Sequence, residues 1–220
     1  MRIAIVKLSA MGDIVHAMIV LQCIKKFNPK ISIDWIVDEC FKDLLKFNPH
    51  INKLHLVNFK YAKKNKSILA LLKDLNKLRD NDPYDLVIDM QGLIKSAITS
   101  KLLHSKQIIG FDKFSTRERL SSNFYNKKLN FSYDKNVILR NIALIEFALG
   151  FSIEKDQIYN KKPFIHSNVK DLNLKNTKTK KNILLIPGAS HPSKRYPVKN
   201  FAKLVHMLDA NYHILWGSSD

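Results

Sequence analysis

Five short apolar runs, RIAIVKL (2–8), ISIDWIV (31–37), KLHLV (53–57), DLVID (85–89) and QIIGF (107–111), recur through the first half of the chain, and stretches of helical period lie between them. Near-continuous aliphatic strands are covered on both faces, and parallel neighbours need a crossover of a dozen or more residues. The alternation therefore predicts an α/β fold on a parallel sheet with helices packed against it.

The intervening segments carry the helical signals. IVHAMIVLQCIKKF (14–27) is a mostly apolar helix stopped by Asn28-Pro29. FKDLLKF reads as a short helix, and 66–79 sets Ile68, Leu71, Leu72, Leu75 and Leu78 on one face at i, i+3, i+4, i+7 spacing. A further helix is predicted over 93–103. The polar stretch 112–133 has weak periodicity and reads as a long functional loop. A helix over 134–149 ends at Gly150, suited to a left-handed C-terminal cap.

An Asn-, Lys- and Thr-rich segment at 166–181 has the composition of a linker. Beyond it NILLIP (182–187), a helix over 197–209 and YHILWG (212–217) open a second βαβ unit. The expected organisation is a complete Rossmann-like domain over 1–165, a linker over 166–181, and the start of a second Rossmann-like domain over 182–220, truncated because two strands and one helix do not close a doubly wound fold.

Composition narrows the partners. A net charge of +18 attracts polyanions such as nucleic acid, anionic headgroups or phosphorylated glycans. The 31 lysines outnumber the 6 arginines and are scattered, apart from KYAKKNK (60–66) and KNTKTKK (175–181), so much of the charge reads as solvated surface. No RNP, helix-turn-helix or finger pattern supports a nucleic-acid partner. Cys23 and Cys40 lie in no metal-ligand spacing and are too few for a disulfide framework, which points to a reducing compartment and no structural zinc. No run of 18 apolar residues predicts a transmembrane span.

Ligands of open α/β sheets bind beyond the carboxyl ends of the strands, which directs attention to three turns. Ser9-Ala10-Met11-Gly12-Asp13 follows the first strand and lacks a GxGxxG phosphate cradle. Asp13 there has two readings: a general base at a helix start, or a helix cap. Asp89-Met90-Gln91-Gly92-Leu93-Ile94-Lys95-Ser96 ends another strand. Gln91 and Lys95 would donate to an anionic sugar; the alternative is that Gly92 only permits a tight turn. In the second unit, the amides from Gly188 to Ser190, the Ser190 hydroxyl and the Lys194 ammonium suit a diphosphate, although no Walker spacing is present.

These segments together resemble the ADP-heptose:lipopolysaccharide heptosyltransferases, inverting glycosyltransferases of the GT-B architecture. KLSAMGDIVH (7–16) is similar to K-x-S-x-M-G-D-x-x-H, DWIVDECF (34–41) to D-W-V-V-E-E-x-F, and DMQGLIKSA (89–97) to D-A-Q-G-L-x-K-S-A. FYNKK (124–128) is similar to F-Y-N-R-K, PSKRYP (192–197) to D-D-K-H-W-P, and ILWGSSD (214–220) to a strand ending P-W-G. The D-W-[IV]-V, Q-G-L-x-K-S-A and F-Y-N segments favour the family members that add the first heptose over those that add the second. A non-catalytic anion-binding or lipopolysaccharide-binding fragment is the alternative from another class.

The resemblance implies transfer of heptose from ADP-heptose to Kdo of Kdo-lipid A, at the cytoplasmic face of the inner membrane, with no metal. It places Asp13 on the catalytic base, Lys194 and Ser190 on donor-diphosphate contacts, and Lys60, Lys63 and Lys64 on a basic segment that meets acceptor phosphates. Arg117 falls on an acceptor-side arginine. Lysine at 60 stands where the family has arginine, which keeps charge but loses bidentate geometry. Ala10 and Ala189 stand where the family has hydroxyl residues.

Overall fold

A computed structural model describes residues 1–65, 68–168, 180–189 and 192–215. The chain divides into two compact units, Met1–Asn168 and Val169–Asp220.

The first unit holds six parallel strands: β1 (Arg2–Val6), β2 (Ser32–Asp38), β3 (Lys53–Val57), β4 (Leu86–Asp89), β5 (Ile108–Phe111) and β6 (Lys127–Leu129). Their order is β3-β2-β1-β4-β5-β6. The sheet is thus doubly wound, and its order reverses between β1 and β4, where such folds open a ligand crevice.

Strand alternation sends each face to its own core. Ile3 and Ile5 of β1 join Ile33, Trp35, Ile88 and Ile109 under α1 (Met11–Phe27), together with the helix Val137–Leu149. Ala4 and Val6 face the other way, toward Ile36, Val87, Leu75, Leu78 and Ala97. Eight side chains of α1 are buried, including Ile14, Met18, Leu21 and Ile24. Each large one is worth about 1.5–3 kcal/mol relative to exposure, so packing holds this helix in place.

Several segments depart from the pattern read in the sequence. FKDLLKF contributes to a 3₁₀ turn over Glu39–Leu44. The helix α2 (Phe59–Asn65) was not expected; α3 (Ile68–Arg79) follows it, with Leu75 and Leu78 buried, Leu71 partly covered and Leu72 exposed. The stretch 112–133 is loop only in part: after α4 (Ile94–Leu102) and β5 it includes a 3₁₀ turn over Arg119–Phe124 and then β6. Order there comes from partners distant in sequence, which local periodicity does not register. Asn126 Oδ1 accepts from Ile108 N at 2.8 Å, and Glu118 Oε2 accepts from Ile94 N at 2.7 Å.

The helix Val137–Leu149 is α5; Asn136 caps its start and Gly150, at φ 72°, its end. A short α6 (Lys155–Tyr159) follows, and the chain is then tied back to α1 through Gln22, whose amide exchanges hydrogen bonds with Lys162 at 2.7 and 3.1 Å. The second unit pairs β7 (Lys181–Leu185) with β8 (Ala210–Ile214) in parallel, with α7 (Val198–Met207) between them. No side chain of α7 is buried, and Leu184, Ile186, Val198 and Ile214 are exposed.

Candidate active site

At the switch point the turns after β1, β4 and β5 enclose a cavity of about 300 Å³. Its charged lining is Lys7, Asp13, Arg117, Lys135 and Arg140. Among the described residues Asp13 is the one acid in that wall. The helix α1 starts at Met11, so Asp13 lies at its third position rather than at its cap, and its Oδ2 accepts from Ala10 N at 3.3 Å. The side chain both closes the first turn and remains partly exposed on the cavity.

The turn that carries Asp13 is held from β4. Gln91 Oε1 accepts from Leu8 N and Ser9 N, each at 3.1 Å. Gln91 is itself positioned by Asp89, whose Oδ1 accepts from Gln91 N at 2.8 Å and Gly92 N at 3.1 Å, while Oδ2 accepts from Tyr125 Oη at 2.8 Å. Complete burial pushes the Asp89 carboxyl up, against the lowering effect of these donors. Gly92 has φ 68°, and the Thr116 methyl lies 3.2 Å from where a Cβ would stand. The positive φ at Gly92 fits the tight-turn reading, and the Gln91 amide oxygen is spent on the β1 turn, which leaves its amide nitrogen as the donor.

Two cations form the inner wall. Lys7 is 5% exposed and its Nζ donates to Met90 O at 2.9 Å; burial pushes its ammonium pKa down, with Asp13 and Asp89 opposing. Arg140 is 8% exposed and donates to Phe131 O at 2.8 Å, Ser132 O at 2.7 Å and Ser115 O at 2.6 Å. Burial lowers its pKa as well. Neither cation has a carboxylate within 4.0 Å among the described residues. Lys7 was visible in the sequence as a charge at the end of an apolar run; nothing in the sequence pointed to Arg140.

A second, more open cavity of about 650 Å³ shares Leu93 with the first. Lys60 and Lys95 line it. The Lys95 ammonium lies 3.5 Å from Ser9 Oγ and 5.6 Å from the Phe59 ring centre, and that of Lys60 lies 5.9 Å from the Phe41 ring centre. Its two acids already accept from backbone: Asp38 from Cys40 N and Lys60 N, Glu118 from Ile94 N. The set read from sequence is thus divided, with Gln91 and Arg117 beside Asp13, and Lys60 and Lys95 in the adjoining space. The side chains of Lys63 and Lys64 lie outside the described residues.

In the second unit Gly188 follows β7, and Lys194 ends an exposed 3₁₀ turn over Pro192–Lys194. Ser190 lies outside the described residues. Arg195 Nε donates to Ala189 O at 3.0 Å and steadies that turn. No group of three or more His, Cys, Asp or Glu that could hold a metal ion is found among the described residues. A separate cavity of about 880 Å³ is lined by the end of α1 together with Pro49, His50 and residues 154–166, and holds none of the groups above.

Comparison with known proteins gives the family and the fold. The family model for glycosyltransferase family 9 (heptosyltransferase) matches residues 71–220. Lipopolysaccharide heptosyltransferase 1 of Campylobacter coli is 42% identical over 213 residues, covering 94% of this chain and 60% of that protein. The protein of the same name from Escherichia coli K12 is 32% identical over 161 residues, covering 71% of this chain and 50% of that protein. The fold is that of E. coli heptosyltransferase WaaC with ADP, at TM-score 0.81 and 24% identity, covering 99% of this chain and 68% of that one. The chain spans 60% or less of the length of these two curated relatives.

Proposed function

The chain belongs to glycosyltransferase family 9, and from that premise we propose that it supplies the acceptor side, and part of the donor side, of an enzyme that moves heptose from ADP-heptose to Kdo of Kdo-lipid A. One observation carries this reading: a single carboxylate, Asp13, in a cavity whose other charged groups are all cationic. The cations draw in an anionic acceptor, and the carboxylate is the one group there suited to take its proton.

In the proposed reaction Asp13 removes the proton from a Kdo hydroxyl. The hydroxyl oxygen then forms its bond to the anomeric carbon of heptose as the bond to ADP breaks, and the electron pair leaves on the diphosphate. Attack opposite the leaving group inverts the centre. Gly188, Ser190 and Lys194 of the second unit are assigned to the diphosphate, where amides and an ammonium offset the developing charge without a metal. Lys60, Lys63, Lys64 and Lys95 are assigned to acceptor phosphates, and Arg117 and the Gln91 amide nitrogen to the attacked sugar.

The acceptor is a lipid, so the protein works at the cytoplasmic face of the inner membrane as a peripheral enzyme. Its net charge of +18 supports attraction to an anionic surface, and among the described residues no helix is long and apolar enough to cross it. The test is transfer from ADP-heptose to Kdo-lipid A by the intact transferase carrying Asp13→Asn or Asp13→Ala. A general base contributes about 10²–10⁴-fold, so both variants lose at least about a hundredfold in kcat; ordinary turnover in both overturns the assignment.

A further inference from the structure

The ends of β1 and β4 clasp each other past the point where the strands stop. Met90 N donates to Val6 O at 3.0 Å, and beyond that pair side chains take over from the backbone. Lys7 Nζ reaches forward to Met90 O at 2.9 Å, and Gln91 reaches back, its Oε1 accepting from Leu8 N and Ser9 N. The next amide, Ala10 N, donates to Asp13 Oδ2. The peptide groups held by Gln91 thus adjoin the one that touches the carboxylate.

Gln91 is fixed in turn from outside the cavity. Asp89 is fully buried and absent from the cavity wall, and it accepts from Gln91 N and Gly92 N on one oxygen and from Tyr125 Oη on the other. The Tyr125 ring, also off the wall, lies against the backbone of Gly110 in β5, where a Cβ would collide with it. A continuous line of contacts therefore runs from β5 through Tyr125, Asp89 and Gln91 to the turn that carries Asp13. The order of groups along it has an electrostatic reason. The acid of the line is sealed inside, and a neutral amide oxygen carries its hold to the cavity, so no second carboxylate is set there to repel an anionic acceptor.

We infer that Tyr125, Asp89 and Gln91 are positioning residues for the base, a relay that sets the turn after β1 so that the Asp13 carboxylate meets the hydroxyl it deprotonates. Displacing a reacting group by about 1 Å can cost about a hundredfold in rate, so a hold of this kind is felt in turnover. Tyr125 and Asp89 do not line the cavity, and they act only through what they hold. The inference rests on Asp13 being the base and adds what aims it.

The test is steady-state transfer from ADP-heptose to Kdo-lipid A by the intact transferase, assayed well below the melting temperature of each variant so that loss of fold is not counted as loss of turnover. Gln91→Met removes the shared acceptor and lowers kcat by about a hundredfold. Tyr125→Phe acts at one remove and lowers kcat by about tenfold, the worth of one hydrogen bond, with KM for donor and acceptor near those of the parent. The double variant loses no more kcat than Gln91→Met alone, because both act along one line. In the Asp13→Asn background Tyr125→Phe changes the residual turnover no further, since the carboxylate it aims is gone. Full kcat in Tyr125→Phe, losses that multiply in the double variant, or a further tenfold fall in the Asp13→Asn background overturns the relay. Ordinary turnover in Asp13→Asn itself overturns the base assignment; low turnover there with a further fall on Tyr125→Phe overturns the relay alone.

Discussion

The two ends of the six-stranded sheet use similar residues to opposite effect. At the amino end Asp34 is wholly buried and fully engaged: Arg2 donates to it at 2.7 Å, Tyr84 at 2.8 Å and Asn52 at 3.3 Å, with His55 at 3.5 Å. Burial alone would push its carboxyl up, but those partners outweigh it and hold it well below the usual carboxylate range. At the carboxyl end Lys7 and Arg140 are buried without a carboxylate within bridging distance among the described residues, and Thr116 Oγ1 and Asn141 Nδ2 have no hydrogen-bond partner. Buried groups of opposite charge that satisfy one another hold the amino end together; the cations of the carboxyl end lack that pairing.

Four experiments break or sharpen that contrast. The largest effect is expected from Asp13→Asn, which costs the intact transferase roughly a hundredfold to ten-thousandfold in kcat while leaving the urea midpoint nearly unchanged. At the opposite end, Asp34→Ala removes the acceptor shared by the partly exposed Arg2 guanidinium and the buried Tyr84 and His55 side chains and costs about 3 kcal/mol, measured by urea unfolding, with acceptor binding retained by the folded fraction. A variant that loses binding at the parent's stability would mean that the amino end is not purely structural.

Tyr125→Phe tests the boundary between the two behaviours, since Asp89 is satisfied yet belongs to the ligand end. It removes the 2.8 Å bond to Asp89 and costs about 1–3 kcal/mol. Through Gln91 and the Leu8-Ser9 turn it also lowers kcat more than it raises KM.

The smallest effect is a slope. The folded Asp34 carboxyl has a lowered pKa, so its contribution is complete above the unfolded value of about 4 and is lost as pH falls through the folded value. Urea midpoints of the parent therefore decline below about pH 4, and Asp34→Asn flattens that decline. An unchanged slope would show that other carboxylates dominate acid unfolding.

Much of this was legible in the sequence, and what was missed has physical causes. The aliphatic runs and helical periods located β1 to β5 and their crossovers, because period and burial on both faces leave a local trace. The F-Y-N segment was visible as a resemblance, but Tyr125 and Asn126 proved to be structural, the first tied to Asp89 and the second to Ile108. Gln91 was read for what its amide donates, and that its oxygen also secures the β1 turn was not visible locally. In each case the partner lies far away in the chain.

What the sequence determined by itself was the doubly wound class, the carboxylate at the first turn and the basic character of its surroundings, since these depend on residue type and on neighbours a few positions away. Tertiary structure alone decided that β1 and β4 lie side by side at the point of reversal, and that Lys7, Thr116 and Asn141 line one space with Asp13. Whether a polar atom is satisfied depends on which remote groups come to surround it, and only the folded chain supplies that neighbourhood.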